Sequence, residues 1–277
     1  MTPRRYDLHL HSTVSDGWVS PARVVGAARR AGLDTISLTD HDSVSGVADA
    51  LGAAREQGVR VIPGTEISCS VRGAEVHLLA YGIDPDDEAL RAHERRAVAR
   101  RRARMEEMVR RLRESGVPVS MDEVEGVAAG ASVLSRAHLA RVLHEQGHAG
   151  SFRQAFERHI GRGCPGFVSL PLPSAERAIE LAHAAGGVAA WAHPLSDDFE
   201  PRLSLLAGVG LDGVEAYRPE MPRAGVSRIE SAARRHRLFV TGGSDWHGRP
   251  GQELGRFSVP AARLAGFLER VDVPAAG

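Results

Sequence analysis

Asp7-Leu8-His9-Leu10-His11, with Asp16 just beyond it, is the stretch on which the reading of this chain turns. Side chains alternate along an extended backbone, so Asp7, His9 and His11 share one face and Leu8 and Leu10 the other. Two imidazoles on one face, about 7 Å apart along a strand, converge where that strand ends at a pocket. Neutral imidazole suits divalent ions of borderline softness, so the stretch reads as half of a metal site. Taken alone it is also an ordinary polar strand edge, and the other ligands have to come from the rest of the chain.

Working outward, Ser20-Pro21 opens a helix that Gly32 ends, and a strand over 35–39 delivers Asp40-His41-Asp42. A helix over 45–57 stops at Gly58, and strands are expected over 59–63, 65–69 and 76–80. The last two carry Glu66 and His77. From Pro85 to Gly163 only helical periodicity is found. An arginine-rich helix over 88–115 has Val98, Met105, Val109 and Leu112 as its apolar stripe, and shorter helices follow over 135–145 and 151–160. Strand and helix then alternate again. A strand at 167–169 precedes a helix over 174–185, and a strand over 188–192 delivers His193-Pro194. Beyond it lie a helix over 203–209, a strand over 213–217 and a helix over 226–236. A final strand over 238–242 delivers Ser244-Asp245-Trp246-His247, before a helix over 261–270. Such alternation predicts an α/β sheet or barrel. The expected body is residues 1–85 and 164–277, with residues 86–163 a helical insertion capping one end.

Composition narrows the chemistry. With 277 residues, 43% apolar and 25% charged, the chain has the make-up of a soluble globular protein. Its formal net charge is zero, so no whole-molecule field draws it to nucleic acid or to an anionic membrane. All 35 basic side chains are arginine. The lack of lysine excludes a Schiff-base mechanism, a P-loop and a carboxylated-lysine metal bridge. Cys69 and Cys164 lie far apart, so neither a zinc knuckle nor a disulfide framework is indicated. With no signal-peptide pattern and no apolar run of spanning length, the expectation is a cytoplasmic protein without membrane or obligate protein partner.

His9, His11, Asp16, Asp40, His41, Glu66, His77, His193, Asp245 and His247 all fall at or just after a predicted strand. In a parallel barrel the strand C-termini share one face, where the loops build the site. Six of the thirteen histidines belong to this set, and nearly all the others lie on predicted helices. That segregation predicts a polynuclear metal site. The motifs Asp7-Leu8-His9-Leu10-His11, Thr39-Asp40-His41-Asp42, Gly64-Thr65-Glu66, His193-Pro194 and Ser244-Asp245-Trp246-His247 resemble those of the PHP (polymerase and histidinol phosphatase) family. The resemblance spans nearly the whole chain. It implies a distorted (β/α)7 barrel with the helical insertion, up to three divalent ions, and phosphoester hydrolysis. Carried across by motif, one ion takes His9, His11, Glu66 and Asp245. A second takes Glu66, His77 and His193, and a third Asp16, His41 and His247, so that Glu66 bridges two. Mixed imidazole and carboxylate donors accept Mn, Fe or Zn.

The insertion narrows the resemblance. Arg136-Ala137-His138, Leu139-Ala140-Arg141 and Gly161-Arg162-Gly163-Cys164-Pro165 are similar to the stand-alone members acting on nucleoside monophosphates, nucleoside 3′,5′-bisphosphates and short RNA. Ions in such a site neutralise the phosphate oxygens and lower the pKa of the attacking water, so no serine or cysteine nucleophile is needed. Asp42, Glu66 and His193 make up the expected catalytic set. Asp42 is placed either to protonate the leaving group or to cap the helix after it. Arg136, His138 and Arg162 are the expected substrate contacts, the arginines gripping phosphate bidentately. A histidinol-phosphate phosphatase and a non-catalytic PHP binding module are the competing readings. The interspersed glutamates make the rest of the arginine-rich helix a solvated, salt-bridged surface.

Overall fold

The computed structural model describes residues 4–194 and 198–271. In chain order its elements are β1 (Arg5–Leu10), α1 (Pro21–Arg30), β2 (Thr35–Leu38), α2 (Val47–Gln57), β3 (Arg60–Val71) and β4 (Ala74–Tyr81). Helices α3 (Glu88–Glu114), α4 (Met121–Ala128), α5 (Arg136–Glu145) and α6 (Phe152–Ala155) follow, the last running into a π-helical turn, Phe156–Ile160. Then come α7 (Ala175–Ala184), β5 (Val188–Trp191), α8 (Phe199–Gly208), β6 (Gly213–Tyr217), α9 (Arg223–His236), β7 (Phe239–Gly242), β8 (Val259–Pro260) and α10 (Ala265–Leu268).

The strands form one sheet in the order β7-β6-β5-β4-β3-β2-β1-β8. It curls into a nearly closed barrel, because a parallel bridge joins Leu10 to Trp246 and the His11 amide donates to the Trp246 carbonyl at 2.9 Å. Gly243 sits at that seam. A Cβ there would press into the backbone nitrogen and Cβ of His9, so only glycine lets the two ends of the sheet meet. Seven strands make the barrel wall as expected; β8, two residues paired antiparallel to β1, is an addition. The barrel is not wholly parallel. β4 runs antiparallel to both β3 and β5, so His77, in the first half of β4, reaches the rim that the other strands reach at their C-terminal ends.

Local chemistry explains most element boundaries. Pro21 occupies the first turn of α1, and Gly58, with φ of 65°, closes α2. The strands expected over 59–63 and 65–69 are one long β3. Pro63-Gly64 marks a change of partner: residues 60–63 pair with β2 and 64–71 with β4. Residues 167–169, expected as a strand, join no ladder; the Phe167 amide donates to the Cys164 carbonyl and its carbonyl accepts from Arg111. Helix α4 escaped the reading of periodicity although Ser120 and Glu123 form a capping box at its start. The helix expected over 261–270 breaks into a 3-10 turn at Ala261–Arg263 and the short α10.

Apolar packing separates two regions. Ile67, Leu78, Trp191, Leu203 and Val214 belong to the main cluster around the sheet. Met105, Met108, Leu112, Leu139, Leu143 and Ile160 form a cluster of their own between α3, α4, α5 and the π-helical turn. Among the described residues no helix is long and apolar enough to cross a membrane.

Candidate metal centre

Glu66 lies at the middle of the rim, fully buried, on the segment of β3 that has just left β2. Its Oε2 is 3.2 Å from His9 Nε2, 3.3 Å from His11 Nε2 and 3.0 Å from His41 Nδ1. Its Oε1 is 3.0 Å from His77 Nδ1 and 2.9 Å from His193 Nε2. One carboxylate therefore faces five imidazoles carried by four separate stretches of chain. Asp245 Oδ1 adds a second carboxylate, 3.4 Å from His9 Nε2 and 3.2 Å from His11 Nε2. Asp16 supplies a third, 3.3 Å from His247 Nε2 and 3.9 Å from His41 Nε2. His11 links the groups, since its Nδ1 faces Asp16 while its Nε2 faces Glu66 and Asp245.

This set fits divalent ions. Ligand atoms about 2.1 Å from a shared tetrahedral ion stand about 3.4 Å apart, close to the nitrogen–oxygen separations here. Both ring nitrogens of His11 and Nδ1 of His41 are buried without a hydrogen-bond partner, the condition of atoms aimed at a cation. Three overlapping groups place one donor atom from each member within 4.8 Å of the others: His9, His11 and Glu66; His41, Glu66 and His77; and His11, Asp16, His41 and His247. His41 and His11 thus each belong to two groups, where the motifs alone suggested one apiece.

Strand ends aim these side chains by unusual backbone. Asp42, His193 and Asp245, in the loops that follow β2, β5 and β7, have φ of 50°, 34° and 55°. Non-glycine residues seldom take the left-handed region, and such strain gathers at functional sites. Electrostatics then sets protonation. Burial opposes charge on Glu66, but His41, His9 and His77 outweigh it and hold the carboxyl well below its usual range. Burial also opposes charge on His11 and His77, yet their carboxylate neighbours raise both to about 10. Burial dominates at His41, pushing it down to about 3 and leaving a neutral imidazole.

The remaining expected residues divide. Asp42 does not cap α2. It is buried, receives Arg101 Nε at 2.8 Å and Nη2 at 2.6 Å, and accepts the Ser68 amide at 2.8 Å. Burial works against its charge, but Arg101 outweighs it and holds the carboxyl well below its usual range; the start of α2 is formed by Gly46 without a side-chain cap. Asp40 holds the loop bearing Asp16, accepting both the amide and the hydroxyl of Ser12 and of Ser15. His138 does not face the rim. Its Nδ1 accepts the Ser135 amide at 3.2 Å as part of a capping box, while Ser135 Oγ donates to Asp16 at 3.0 Å. Ser135, held by His138, therefore braces a candidate ligand from behind. Arg136 does line the cavity over the cluster, with Arg101, Arg104, Phe152, Phe156 and Arg249. Arg162 lines an adjoining cavity instead.

Glu215 was missed. It is wholly buried on β6, lies 3.0 Å from His9 Nδ1 through Oε1, and accepts the His193 amide through Oε2 at 2.7 Å. A carboxylate behind a ligating imidazole fixes its tautomer and orientation. The available signal was a lone acidic residue within the apolar strand Gly-Val-Glu-Ala-Tyr.

Comparison with known proteins agrees with this geometry. The PHP domain family model matches residues 7–96. The 5′-3′ exoribonuclease Rnm of Escherichia coli is 32% identical over 91% of this chain and 88% of its own length. The 3′,5′-nucleoside bisphosphate phosphatase of Chromobacterium violaceum is 32% identical over 90% of each. A solved structure from Bifidobacterium adolescentis, described as a metal-dependent phosphoesterase, superposes with a TM-score of 0.86 at 32% identity over 96% of both chains. With its motifs gathered at one barrel rim and relatives matching along nearly all its length, this chain belongs to the PHP family.

Proposed function

We propose that the protein is a metal-dependent phosphoester hydrolase acting on nucleotides or short RNA. The observation that carries this is the Glu66 carboxylate, buried at the barrel rim with five imidazoles around its two oxygens. His9, His11, Glu66 and Asp245 are suited to one ion, Glu66, His41, His77 and His193 to a second, and Asp16, His41, His11 and His247 to a third. Bound Mn, Fe or Zn would supply neutralisation of the phosphate oxygens and a water of lowered pKa. Residues 86–163 form the cap. From it Arg136 reaches the cavity over the cluster, where a guanidinium meets phosphate oxygens bidentately. Asp42 stays ionised against Arg101, so it positions α3 against the rim and leaves proton delivery to solvent. The two exoribonuclease and bisphosphate phosphatase relatives support a phosphorylated nucleotide or oligonucleotide as substrate.

The test is a phosphate-release screen with added Mn²⁺ over nucleoside monophosphates, nucleoside 3′,5′-bisphosphates, short 5′-phosphorylated RNA and histidinol phosphate. Turnover should depend on metal, stop in chelator, and favour the nucleotide substrates. Glu66→Gln should lose metal content and turnover together, because an amide brings no charge to hold two cations close. If Glu66→Gln kept both, the central role given to this carboxylate would be wrong.

A further inference from the structure

Asp16 divides its two carboxylate oxygens between the barrel and the helical insertion. Its Oδ1 faces imidazoles, 3.3 Å from His247 Nε2, 3.9 Å from His41 Nε2 and 4.0 Å from His11 Nδ1. Its Oδ2 accepts the Ser135 hydroxyl at 3.0 Å. Ser135 is 4% exposed and starts α5, so its donor reaches Asp16 from the cap. The other candidate ions draw their support from the barrel itself. Glu215 on β6 stands behind His9 and holds the His193 amide, and Glu75 on β4 lies 3.5 Å from His77. Asp16 differs because it sits on the irregular stretch beyond β1, where no ladder fixes its direction. Asp40 secures the backbone of that stretch through the Ser12 and Ser15 amides. Ser15 Oγ, 3.5 Å from Asp16 Oδ1, donates at 2.6 Å to Asp40 instead, so the Asp16 carboxylate is aimed from above.

Further contacts dock the cap onto this same stretch. The Val133 amide donates to the Val14 carbonyl at 3.2 Å, and the Arg141 guanidinium lies 4.0 Å from the centre of the Trp18 ring. Between them His138 accepts the Ser135 amide at 3.2 Å and hydrogen-bonds the Ser15 backbone. Ser135, His138 and Arg141 recur every three residues, so one face of α5 covers the loop from Ser15 to Trp18. Trp18 in turn donates its amide to the His247 carbonyl at 2.7 Å, and Arg249, just beyond His247, lies 4.2 Å from the centre of the Phe152 ring in α6. The two outer loops carrying Asp16 and His247 are thus both held by the insertion. Asp16, His41, Ser135 and Arg136 all line the cavity over the cluster, so whatever enters it meets this junction.

We propose that Ser135 is a positioning residue for the third ion, coupling its occupancy to docking of the cap. With α5 seated, Asp16 Oδ1 is aimed at His247, His41 and His11; without α5 that group is incomplete. The inference rests on the metal-dependent reading of the site and adds an order of loading to it. The two ions supported by barrel residues bind first, and the third binds last and leaves first.

The experiment counts Mn²⁺ bound per chain at equilibrium, over a range of free Mn²⁺, in wild type, Ser135→Gly, Ser135→Ala and Ser135→Thr. Unfolding temperatures are measured on the chelator-treated proteins. Glycine serves nearly as well as serine at a helix N-cap and alanine does not, so the first two variants separate loss of the cap from loss of the Asp16 contact. Wild type should bind three ions, one for each group. In Ser135→Gly and Ser135→Ala alike the third should weaken about ten- to a hundredfold, the usual effect of removing a residue that orients a ligand, while the first two keep their affinity. Ser135→Thr, which retains the hydroxyl, should recover most of that loss, and only Ser135→Ala should unfold markedly earlier. Turnover of p-nitrophenyl phosphate by Ser135→Gly should need correspondingly more Mn²⁺ and return to the wild-type rate once the third ion is restored. Uptake of only two ions by wild type, a third ion bound by Ser135→Gly as tightly as by wild type, or a loss that Ser135→Thr shares would overturn the proposal. So would a weakening confined to Ser135→Ala, which would leave Ser135 as a helix cap alone. Wild type that shows the Ser135-dependent third ion yet hydrolyses no phosphoester would instead refute the phosphoesterase reading and leave the coupling standing.

Discussion

At the scale of single residues, the buried pair of Asp42 and Arg101 shows how a rim carboxylate can be removed from chemistry and put to structural use. Asp42 and Arg101 are 3% and 5% exposed and share two hydrogen bonds. Breaking a buried pair from one side strands the other charge, which costs about 3–5 kcal/mol. Asp42→Asn should therefore destabilise the fold by about that amount at neutral pH, read from urea unfolding. The sign with pH follows from the carboxyl being held below its unfolded value of 3.8. Its stabilisation is fully present above that value and fades as pH falls below it, because the unfolded chain then takes up the proton first. The difference between wild type and Asp42→Asn should narrow under acid; a gap that stayed constant would mean that Asp42 carries no charge in the native state. Residues at this scale were legible where a motif repeated a donor beside a strand, as at His9, His11, Glu66 and His247. They were not legible where the partner is distant in sequence, as for Asp42 with Arg101, His138 with Ser135 and Asp16, and Glu215 with His9. Spacing encodes the face a side chain shares, and nothing in it records which element will pack above.

At the scale of elements, helical periods and caps were readable and strand direction was not. The alternation of β1, α1, β2 and α2 announced a parallel start, but nothing in the strand's own residues distinguishes β4 as antiparallel, since a strand's side-chain pattern is the same in both directions. The hairpin turn at Arg72-Gly73, both with positive φ, was the cue. Likewise β3 was divided at Pro63-Gly64 because those residues usually interrupt strands, whereas here they mark the change of partner from β2 to β4. The barrel seam is the most demanding contact between elements. Gly243, after β7, packs against the backbone of His9 in β1. In Gly243→Ala the added methyl has to displace backbone, since no flexible side chain is there to yield. Overpacking of this kind costs about 1–3 kcal/mol. It should also turn His9 from its place between Glu66 and Glu215, so metal content should fall along with the unfolding temperature. A variant with full metal occupancy and wild-type stability would show that the seam is looser than the structure has it.

At the scale of the whole molecule, net charge conceals a strong internal division. The chain balances 35 arginines against 35 acidic residues, yet the acids Asp16, Glu66 and Asp245 collect at the cluster while Arg104, Arg136 and Arg162 collect in the adjoining cavity. The candidate ligands come from β1, the loop after it, the ends of β2, β5 and β7, and from β3 and β4. Ions bound there hold only the folded chain, so loading stabilises the molecule as a unit, by about 2.7 kcal/mol at a free metal concentration one hundred times Kd. For a chain of this size that is a rise in unfolding temperature of roughly 5–10 °C. Protons compete with the metal. Asp245 and Glu66 raise His11, and Glu66 raises His77, each to about 10, so both are expected to carry a proton through the neutral range in chelator-treated protein. A ligating imidazole must be neutral, so loading has to expel those protons, and apparent affinity should fall steadily as pH drops. Calorimetric titration of chelator-treated protein with Mn²⁺, in two buffers of different ionisation enthalpy, should show net proton release, with the metal-induced thermal shift shrinking between about pH 8 and pH 6. Binding that releases no protons and shifts unfolding equally at both pH values would mean that the ions sit elsewhere than among these histidines.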